Sequence, residues 1–178
     1  MVEKTGAALG AAGFMAFALV DNPSSQTATA VAVAVQAKDA GGRLLGRSTG
    51  RIGRIDPGHK QAIGLRVAVP SRATPAKFDA AVTEVTWLDS GAAQLVEVVG
   101  AAFAQDPKLP SVTVRLVNHA ASAERATVTA VCFDDVGDIR GGGVRTVAIG
   151  AAAAGVDFQI AVTLPVTPSR CEAFETTS

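Results

Sequence analysis

The feature that most constrains this chain is an internal repeat with a period of about 94 residues. Four blocks recur in the same order, at shifts of 94, 96, 96 and 93 residues. They are residues 2–9 with 96–103, 19–22 with 115–118, 38–41 with 134–137, and 74–80 with 167–173. This period is far longer than a solenoid unit. We therefore expect two tandem domains, residues 1–90 and 91–178, each with its own core and joined near residues 89–91.

The repeat also decides how the apolar N-terminal run is interpreted. Residues 5–20 follow Lys4 and have the hydropathy of an export signal or signal anchor. Three glycines interrupt the run, and its sixteen residues are short for a helix that crosses a bilayer. Because residues 2–9 recur at 96–103, we predict a folded first strand and no membrane span in this chain.

Alternation of side chains with a period of two predicts β-strands in both copies. Residues 28–37 place Val31, Val33 and Val35 on one face, and residues 126–133 carry Val131 and Phe133 at the parity taken as equivalent. Further alternating strands are predicted at 62–69, 77–87, 156–164 and 170–177. With Asp- and Gly-rich turns between about six or seven strands per copy, the pattern favours an all-β fold of two immunoglobulin-like Greek-key β-sandwich domains.

Composition and charge weaken the case for nucleic-acid binding and for binding to an acidic membrane. Hydrophobic residues make up 48% of the chain and charged residues 18%, which is typical of a chain with a packed core. The 16 basic and 16 acidic residues give no net charge. Nucleic-acid binding depends on an excess of positive charge, so no nucleic-acid partner is expected. A protein partner or self-association is predicted instead.

The order of these features resembles the FxLYD family of bacterial immunoglobulin-like domains. A strand ends in Asn, an alternating strand leads into an Asp- and Gly-containing turn, and a Pro-Gly turn precedes another strand. The family motif would fall on residues 35–39 and 131–135, where both copies keep the final Asp but neither keeps the aromatic first position or the Tyr. The resemblance implies a location outside the cytoplasmic membrane and no catalysis.

The residues that could carry catalysis are few. His59 and His119 are the two histidines, and both fall in predicted turns at positions that are not equivalent in the repeat. Neither is accompanied by a Gly-x-Ser-x-Gly nucleophile motif. We interpret both as exposed turn residues, and we predict no enzyme activity and no cofactor.

Two local motifs could hold an ion. Asp134, Asp135 and Asp138 could offer oxygen ligands to Ca²⁺, although they lack the spacing of a known calcium loop and also suit a tight hairpin turn. The glycine-rich residues 140–143 could cradle phosphate, but no Lys-Ser/Thr pair or helix follows them. A structural turn and a flexible strand or bulge are the preferred interpretations.

A cluster of basic residues forms the candidate interaction face. Arg43, Arg47 and Arg51 share parity, so on an uninterrupted strand they would line one face. Such a face could bind an acidic protein or an anionic envelope polymer. The preferred alternative is a solvated face that discourages aggregation at a sheet edge.

The two cysteines, Cys132 and Cys171, fit either one disulfide in an exported protein or two buried thiols in a reducing compartment. Cys171 aligns with Phe78, which predicts an inward position. If Val131 and Phe133 face the core, Cys132 faces out, and a disulfide would require a bulge or the opposite parity. Such a bond would close a loop of about forty residues and contribute about 3–4 kcal/mol.

Together these observations favour a non-enzymatic, extracytoplasmic interaction, adhesion or spacer module of a bacterial envelope or secreted protein. Its anchor would be a segment or partner outside this chain. The alternative is a structural subunit of a larger assembly such as a virion, sheath or fibre. Light scattering of the purified protein distinguishes the two, because the first predicts monomers or dimers and the second predicts large oligomers.

Overall fold

The computed structural model describes residues 1–10, 13–89, 95–106, 109–151 and 155–176. Its regular elements are twelve strands, six in each half, which confirms the all-β prediction. The first half contains β1 (Val2–Gly10), β2 (Gly13–Asp21), β3 (Thr27–Lys38), β4 (Leu44–Ile55), β5 (Lys60–Val67) and β6 (Lys77–Leu88). The second half contains β7 (Val96–Ala104), β8 (Ser111–Asn118), β9 (Glu124–Phe133), β10 (Ile139–Ile149), β11 (Gly155–Ala161) and β12 (Arg170–Thr176).

The two halves have the same antiparallel sheet topology. In the first half, β2 pairs with β1 and β5, and β3 pairs with β4 and β6. In the second half, β8 pairs with β7 and β11, and β9 pairs with β10 and β12. Each of the four sheets among the described strands therefore belongs to one half. The predicted boundary at residues 90 and 91 lies outside the described residues.

The apolar N-terminal run forms a β-hairpin, as the repeat predicts for its first strand. It supplies most of β1 and nearly all of β2. In the part of the chain that the structure describes, no helix has both the length and the apolar character needed to cross a membrane. Predicted and observed strands agree closely at β3, β6 and β12, whereas β5 and β11 begin and end earlier than the alternation indicates.

Within each half, the two sheets pack face to face over an apolar core, as in a β-sandwich. In the first half, Val20 of β2 packs with Val33 of β3 and Ile52 of β4. In the second half, Leu116 of β8 packs with Val128 of β9. These side chains are buried almost completely, with exposed fractions of 2% or less. Each half therefore encloses a core of its own.

A further apolar cluster joins the two halves, and we call it the shared cluster. Its buried members are Phe17 and Leu19 of β2, Ala62 of β5, Val131 and Phe133 of β9, and Ile139 of β10. The sheet β1-β2-β5 thus packs on the sheet β10-β9-β12, and the four sheets form one stack. The expectation of two separate cores was incomplete, because the two middle sheets bury both of their faces.

Small residues let these middle sheets approach closely. A Cβ atom added to Gly64 would lie 2.5 Å from Cγ2 of Val144, closer than real Cβ contacts. A Cβ added to Gly6 would collide with the backbone carbonyl of Ile139. In addition, Nζ of Lys4 donates a hydrogen bond of 2.5 Å to the carbonyl of Gly137 in the other half. The contact between the halves is therefore specific as well as apolar.

The hydrogen-bonded register shows which residues of the two halves are equivalent. Asn22 directly follows β2 and Asn118 is the last residue of β8, and their side chains make matching hydrogen bonds, which confirms the shift of 96 for this block. Bulges after Val2 and Val98 give β1 the same shift of 96, so the alignment at 94 was wrong by two residues. An error of two keeps the same faces of the strand.

The alignment of the Asp-containing turns was wrong by one residue. Asp39 and Asp134 make the same turn hydrogen bonds, a shift of 95, whereas the sequence alignment used 96. An error of one exchanges the faces of a strand. Val33 is therefore equivalent to Val128. Val131 and Phe133 lie on the opposite face of β9, in the shared cluster.

Candidate functional site

Each half contains a turn that is held by one aspartate. In the first half, Oδ1 of Asp39 accepts hydrogen bonds from the backbone N–H of Gly41 (3.0 Å) and Arg43 (2.9 Å). Its Oδ2 accepts a bond of 3.1 Å from Nε of Arg43. Gly42 supplies the positive φ of 83° that the turn requires. The hydrogen bond from the backbone N–H of Arg43 contributes most to lowering the pKa of Asp39, and the Arg43 side chain lowers it further.

The second half repeats this arrangement at Asp134. Its Oδ1 accepts hydrogen bonds from the N–H of Val136 (3.1 Å) and Asp138 (2.8 Å), and its Oδ2 accepts one from Nε of Arg140 (2.6 Å). Desolvation of the Asp134 carboxylate opposes its ionisation. The N–H of Asp138 and the guanidinium of Arg140 outweigh that effect and lower the pKa of Asp134.

These contacts give the carboxylate of Asp134 a structural role in the turn. Both carboxylate oxygens of Asp134 already accept hydrogen bonds, so they hold the hairpin together with little capacity left for a cation. Within the described ranges, no group of three His, Cys, Asp or Glu residues is arranged to hold a metal ion. The calcium hypothesis for Asp134, Asp135 and Asp138 thus gains no geometric support.

The glycine-rich segment is part of β10 and contains a bulge, as its preferred interpretation proposed. The pairing of β10 with β9 passes from Ile139 to Gly141, which leaves Arg140 as the extra residue. Cβ atoms at Gly141 and Gly143 would collide with the backbone carbonyls of Thr163 and Ala161. The glycines therefore allow close packing of β10 against residues 161–163.

The three arginines of the candidate interaction face do not form one continuous row. Arg47 and Arg51 are exposed on β4, and Nη2 of Arg51 lies 2.9 Å from Oε2 of Glu84. Arg43 precedes β4 and is bound to the turn aspartate. A register shift at Leu45 separates it from the other two, so the assumption of an uninterrupted strand was wrong.

The structure brings Cys132 and Cys171 together as a disulfide between β9 and β12. The two residues are directly opposite each other in the strand register. Cys132 is fully buried in the core of the second half, and Cys171 packs against the same core. Cys132 therefore faces the core of the second half, and its neighbours Val131 and Phe133 face the other way, which is the opposite of the parity assumed from the sequence.

The two histidines lie in separate halves and are both exposed. Nδ1 of His59 is 3.0 Å from the carbonyl oxygen of Pro57 in its own turn. Nε2 of His119 is 3.0 Å from Oε2 of Glu97. Among the described hydrogen bonds and ion pairs, none joins the side chain of either histidine to Asp134, Asp135 or Asp138.

The repeated asparagines have a structural role that the sequence pattern alone does not reveal. Nδ2 of Asn22 donates to the carbonyls of Gln26 (2.8 Å) and Ile55 (2.9 Å). Nδ2 of Asn118 makes two equivalent bonds of 2.8 Å, to the carbonyls of Ser122 and Gly150. Each buried amide therefore ties the end of one sheet to the other sheet of the same half. Their recurrence at the ends of equivalent strands was the available signal.

No model of a known protein family matches this sequence, and no curated protein sequence matches it either. The FxLYD resemblance therefore depends on the motif residues alone. With the register seen in the structure, the second motif corresponds to residues 130–134 in place of 131–135.

Proposed function

We propose that this chain is a non-enzymatic, extracytoplasmic interaction or spacer module, composed of two tandem immunoglobulin-like domains of a bacterial envelope or secreted protein. The shared cluster is the observation that carries this proposal. Because it packs the two middle sheets together, the outer sheets are held at a fixed separation and orientation. A rigid stack of this kind suits a module that displays two surfaces at a constant distance.

The sheet topology supports the immunoglobulin-like part of the proposal. In each half the chain alternates between two antiparallel three-stranded sheets. It changes sheet between β2 and β3, returns between β4 and β5, and changes again before β6. Antiparallel sandwiches with Greek-key connections make crossings of this kind.

The disulfide supports an extracytoplasmic location. It links residues 39 positions apart in sequence and is fully buried at Cys132. Structural disulfides form and persist in oxidising compartments and are rare in the reducing cytosol. The bond therefore favours an exported protein over a cytosolic one.

The contacts of the titratable residues support a role without catalysis. Each turn aspartate, Asp39 and Asp134, is engaged by backbone N–H groups and an arginine. A general base needs a free lone pair within reach of a substrate, and a nucleophile needs a base beside it. The exposed His59 and His119 are each paired with a local oxygen in a different half.

The outer sheet of the first half offers one candidate contact surface for an acidic partner. Arg47 and Arg51 lie on its edge strand β4, where side chains also reach solvent. Arg51 is paired with Glu84, so Arg47 contributes the larger part of the available charge. A weak, salt-sensitive contact with an acidic protein is what such an edge could provide.

Two measurements on protein from its natural source test the proposal. Cells are alkylated before lysis, and peptides containing Cys132 and Cys171 are mapped without reductant. Linked peptides are expected, whereas alkylated free thiols on both residues would contradict the extracytoplasmic location. Light scattering of the purified chain should give the mass of a monomer or dimer of the 17.9 kDa chain. Defined large oligomers would contradict the module and favour the structural subunit.

A further inference from the structure

The contact between the halves joins two different kinds of sheet. In each half, one sheet contains the first, second and fifth strands, and the other contains the third, fourth and sixth. The shared cluster packs β1-β2-β5, a sheet of the first kind, on β10-β9-β12, a sheet of the second kind. The two kinds therefore alternate through the stack. The end sheets, β4-β3-β6 and β11-β8-β7, are again of different kinds, so their outward faces correspond to the two faces that meet in the middle.

The outward face of β11-β8-β7 is polar at positions where its counterpart in the middle of the stack is apolar or small. In the strand register, four pairs of equivalent residues differ in this way: Phe17 and Thr113, Leu19 and Arg115, Ala62 and Asp157, and Gly64 and Gln159. Nη1 of Arg115 lies 3.4 Å from Oδ2 of Asp157, and both side chains are exposed. An exposed ion pair thus takes the place of two members of the shared cluster.

The outward face of β4-β3-β6 also lacks the apolar residues of its counterpart. Its four equivalent pairs are Val131 and Gln36, Phe133 and Lys38, Gly142 and Arg47, and Phe174 and Ala81. Nζ of Lys38 lies 3.0 Å from Oδ2 of Asp79. Gly142 leaves room for Phe17, because a Cβ there would lie 3.0 Å from Cε1 of the ring. The exposed side chain of Arg47 would therefore hold another sheet away from this face.

Charge opposes the stacking of one end face on the other. Leu19 and Phe133 belong to one buried cluster. If two copies packed through the equivalent end faces, the counterparts Arg115 and Lys38 would enter one cluster in the same way. This is unfavourable, because each basic group would lose its hydration and the two would repel each other. The end faces therefore match the middle faces in strand arrangement but not in surface chemistry.

We infer that the two end faces form a latent interface between copies of this chain, and that their polar residues act as caps that keep the copies apart. The partner is identified by continuity, because the same pair of faces already packs once inside the chain. A contact between different faces of identical units does not close on itself and generates an open-ended assembly. Arrays of stacked repeats end in units with a polar outer face, which keeps them soluble. The caps concern assembly between copies, which is beyond the proposed spacer function.

Removal of the caps tests the latent interface directly. The second-half variant carries Thr113→Phe, Arg115→Leu, Asp157→Ala and Gln159→Gly. The first-half variant carries Gln36→Val, Lys38→Phe, Arg47→Gly and Ala81→Phe. Each variant alone keeps one cap and should have the mass of the wild type in light scattering, whereas an equal mixture should double that mass and grow no further. A mixture that keeps the mass of its components would overturn the inference.

A matched control separates the specific contact from general stickiness. It carries Thr113→Leu, Arg115→Phe, Asp157→Gly and Gln159→Ala, so it introduces the same four residues in exchanged positions. Because core packing depends on which side chain occupies each position, it should bind the first-half variant about tenfold more weakly than the second-half variant does. Equal binding by the control would contradict an interface equivalent to the shared cluster.

A milder pair of variants covers the case in which the fourfold variants do not fold. Arg115→Leu/Asp157→Ala removes the exposed ion pair, and Lys38→Phe leaves Asp79 paired with Lys77. Methyl NMR spectra of each labelled protein are recorded with and without the unlabelled partner. Shift changes should centre on outward methyl groups of the end sheets. Changes centred on other surfaces, or none at all, would overturn the inference.

Discussion

The two halves share six strands and one topology, yet they close equivalent positions of their cores in different ways. In the second half, the opposed residues Cys132 and Cys171 form a disulfide. The equivalent opposed pair in the first half is Ala37 and Phe78. The ring of Phe78 packs there against Phe14, with centroids 5.5 Å apart. The two halves thus have the same strand register at this position. A disulfide fills it in the second half, and an aromatic side chain fills it in the first.

A second contrast separates the middle sheets from the outer sheets. The central strands β2 and β9 each bury side chains on both faces, one face in their own core and one in the shared cluster. The outer edge strand β6 is exposed along much of its length. The stack therefore depends on its two middle layers, where substitutions should have the largest effects.

The largest effect is expected from Phe17→Ala, which removes a fully buried ring from the shared cluster. The free energy of unfolding should fall by about 3–5 kcal/mol, the usual cost of deleting a core phenylalanine. Urea denaturation measures it. Phe103→Ala is the matched control, because Phe103 is only partly buried at the margin of one core. Equal and small effects for both variants would show that the halves do not depend on their contact.

The next largest effect is expected when the disulfide pair of the second half is replaced by the Ala and Phe pair of the first half. Removal of the disulfide in Cys132→Ser/Cys171→Ser should cost about 3–4 kcal/mol, since the loop it closes spans 39 positions. Cys132→Ala/Cys171→Phe copies the first half and should regain about 1–2 kcal/mol through burial of the ring. Thermal and urea unfolding compare the three proteins. A copy that is no more stable than the serine variant would contradict the equivalence of the two pairs.

The reciprocal exchange tests the equivalence of the two pairs in the first half. Ala37→Cys/Phe78→Cys should form a second disulfide, because these residues are opposed in the register as the native cysteines are. Mass spectrometry without reductant should show the loss of two further hydrogens. Free thiols at both positions after oxidation would mean that the β3–β6 pairing differs from β9–β12.

A smaller and symmetrical effect is expected at the two buried asparagines. Asn22→Ala and Asn118→Ala each leave two carbonyls without their side-chain donor. Each should cost about 1–3 kcal/mol. Ser122→Ala, which removes only an exposed hydrogen bond to Glu124, serves as the control. A large effect in one half alone would break the equivalence of the two positions.

The all-β architecture was predictable from the sequence because the repeat and the alternating residues indicate strands in both halves. The apolar segment of β2 did not alternate, and its resemblance to an export signal has a physical cause. A strand buried on both faces needs apolar side chains at consecutive positions, and β2 places Phe17 and Leu19 on one face and Ala18 and Val20 on the other. The consecutive apolar residues of β2 were therefore the sequence signal for the contact between the halves.

The candidate sites were less predictable, because they depend on register. The sequence alignment was wrong by one residue at the turn of Asp134. That error exchanged the two faces of β9 in the prediction, so Cys132 was expected outside the core. The bulge at Leu45 similarly separated Arg43 from Arg47. Sequence alternation alone does not reveal where an extra residue is inserted. Long-range side-chain contacts were needed to locate it.

The smallest effect is expected from acid. The pKa values of Asp39 and Asp134 are lowered in the folded protein from the usual 3.8, so these groups stabilise the fold above that value. The contribution is lost as the pH falls from 3.8 through the folded-state pKa. Between pH 6 and pH 3, the wild type should lose more stability than Asp39→Asn or Asp134→Asn. An equal loss in all three proteins would show that neither turn carboxylate contributes to the acid sensitivity.

The most direct test is whether the two halves unfold together. Emission of Trp87 reports on the first half, and far-UV circular dichroism reports on strands of both halves. Because the middle sheets share a buried cluster, both signals should follow one urea transition with the same midpoint. Loss of the Trp87 signal followed by a separate dichroism transition would contradict a single stack held together by the shared cluster.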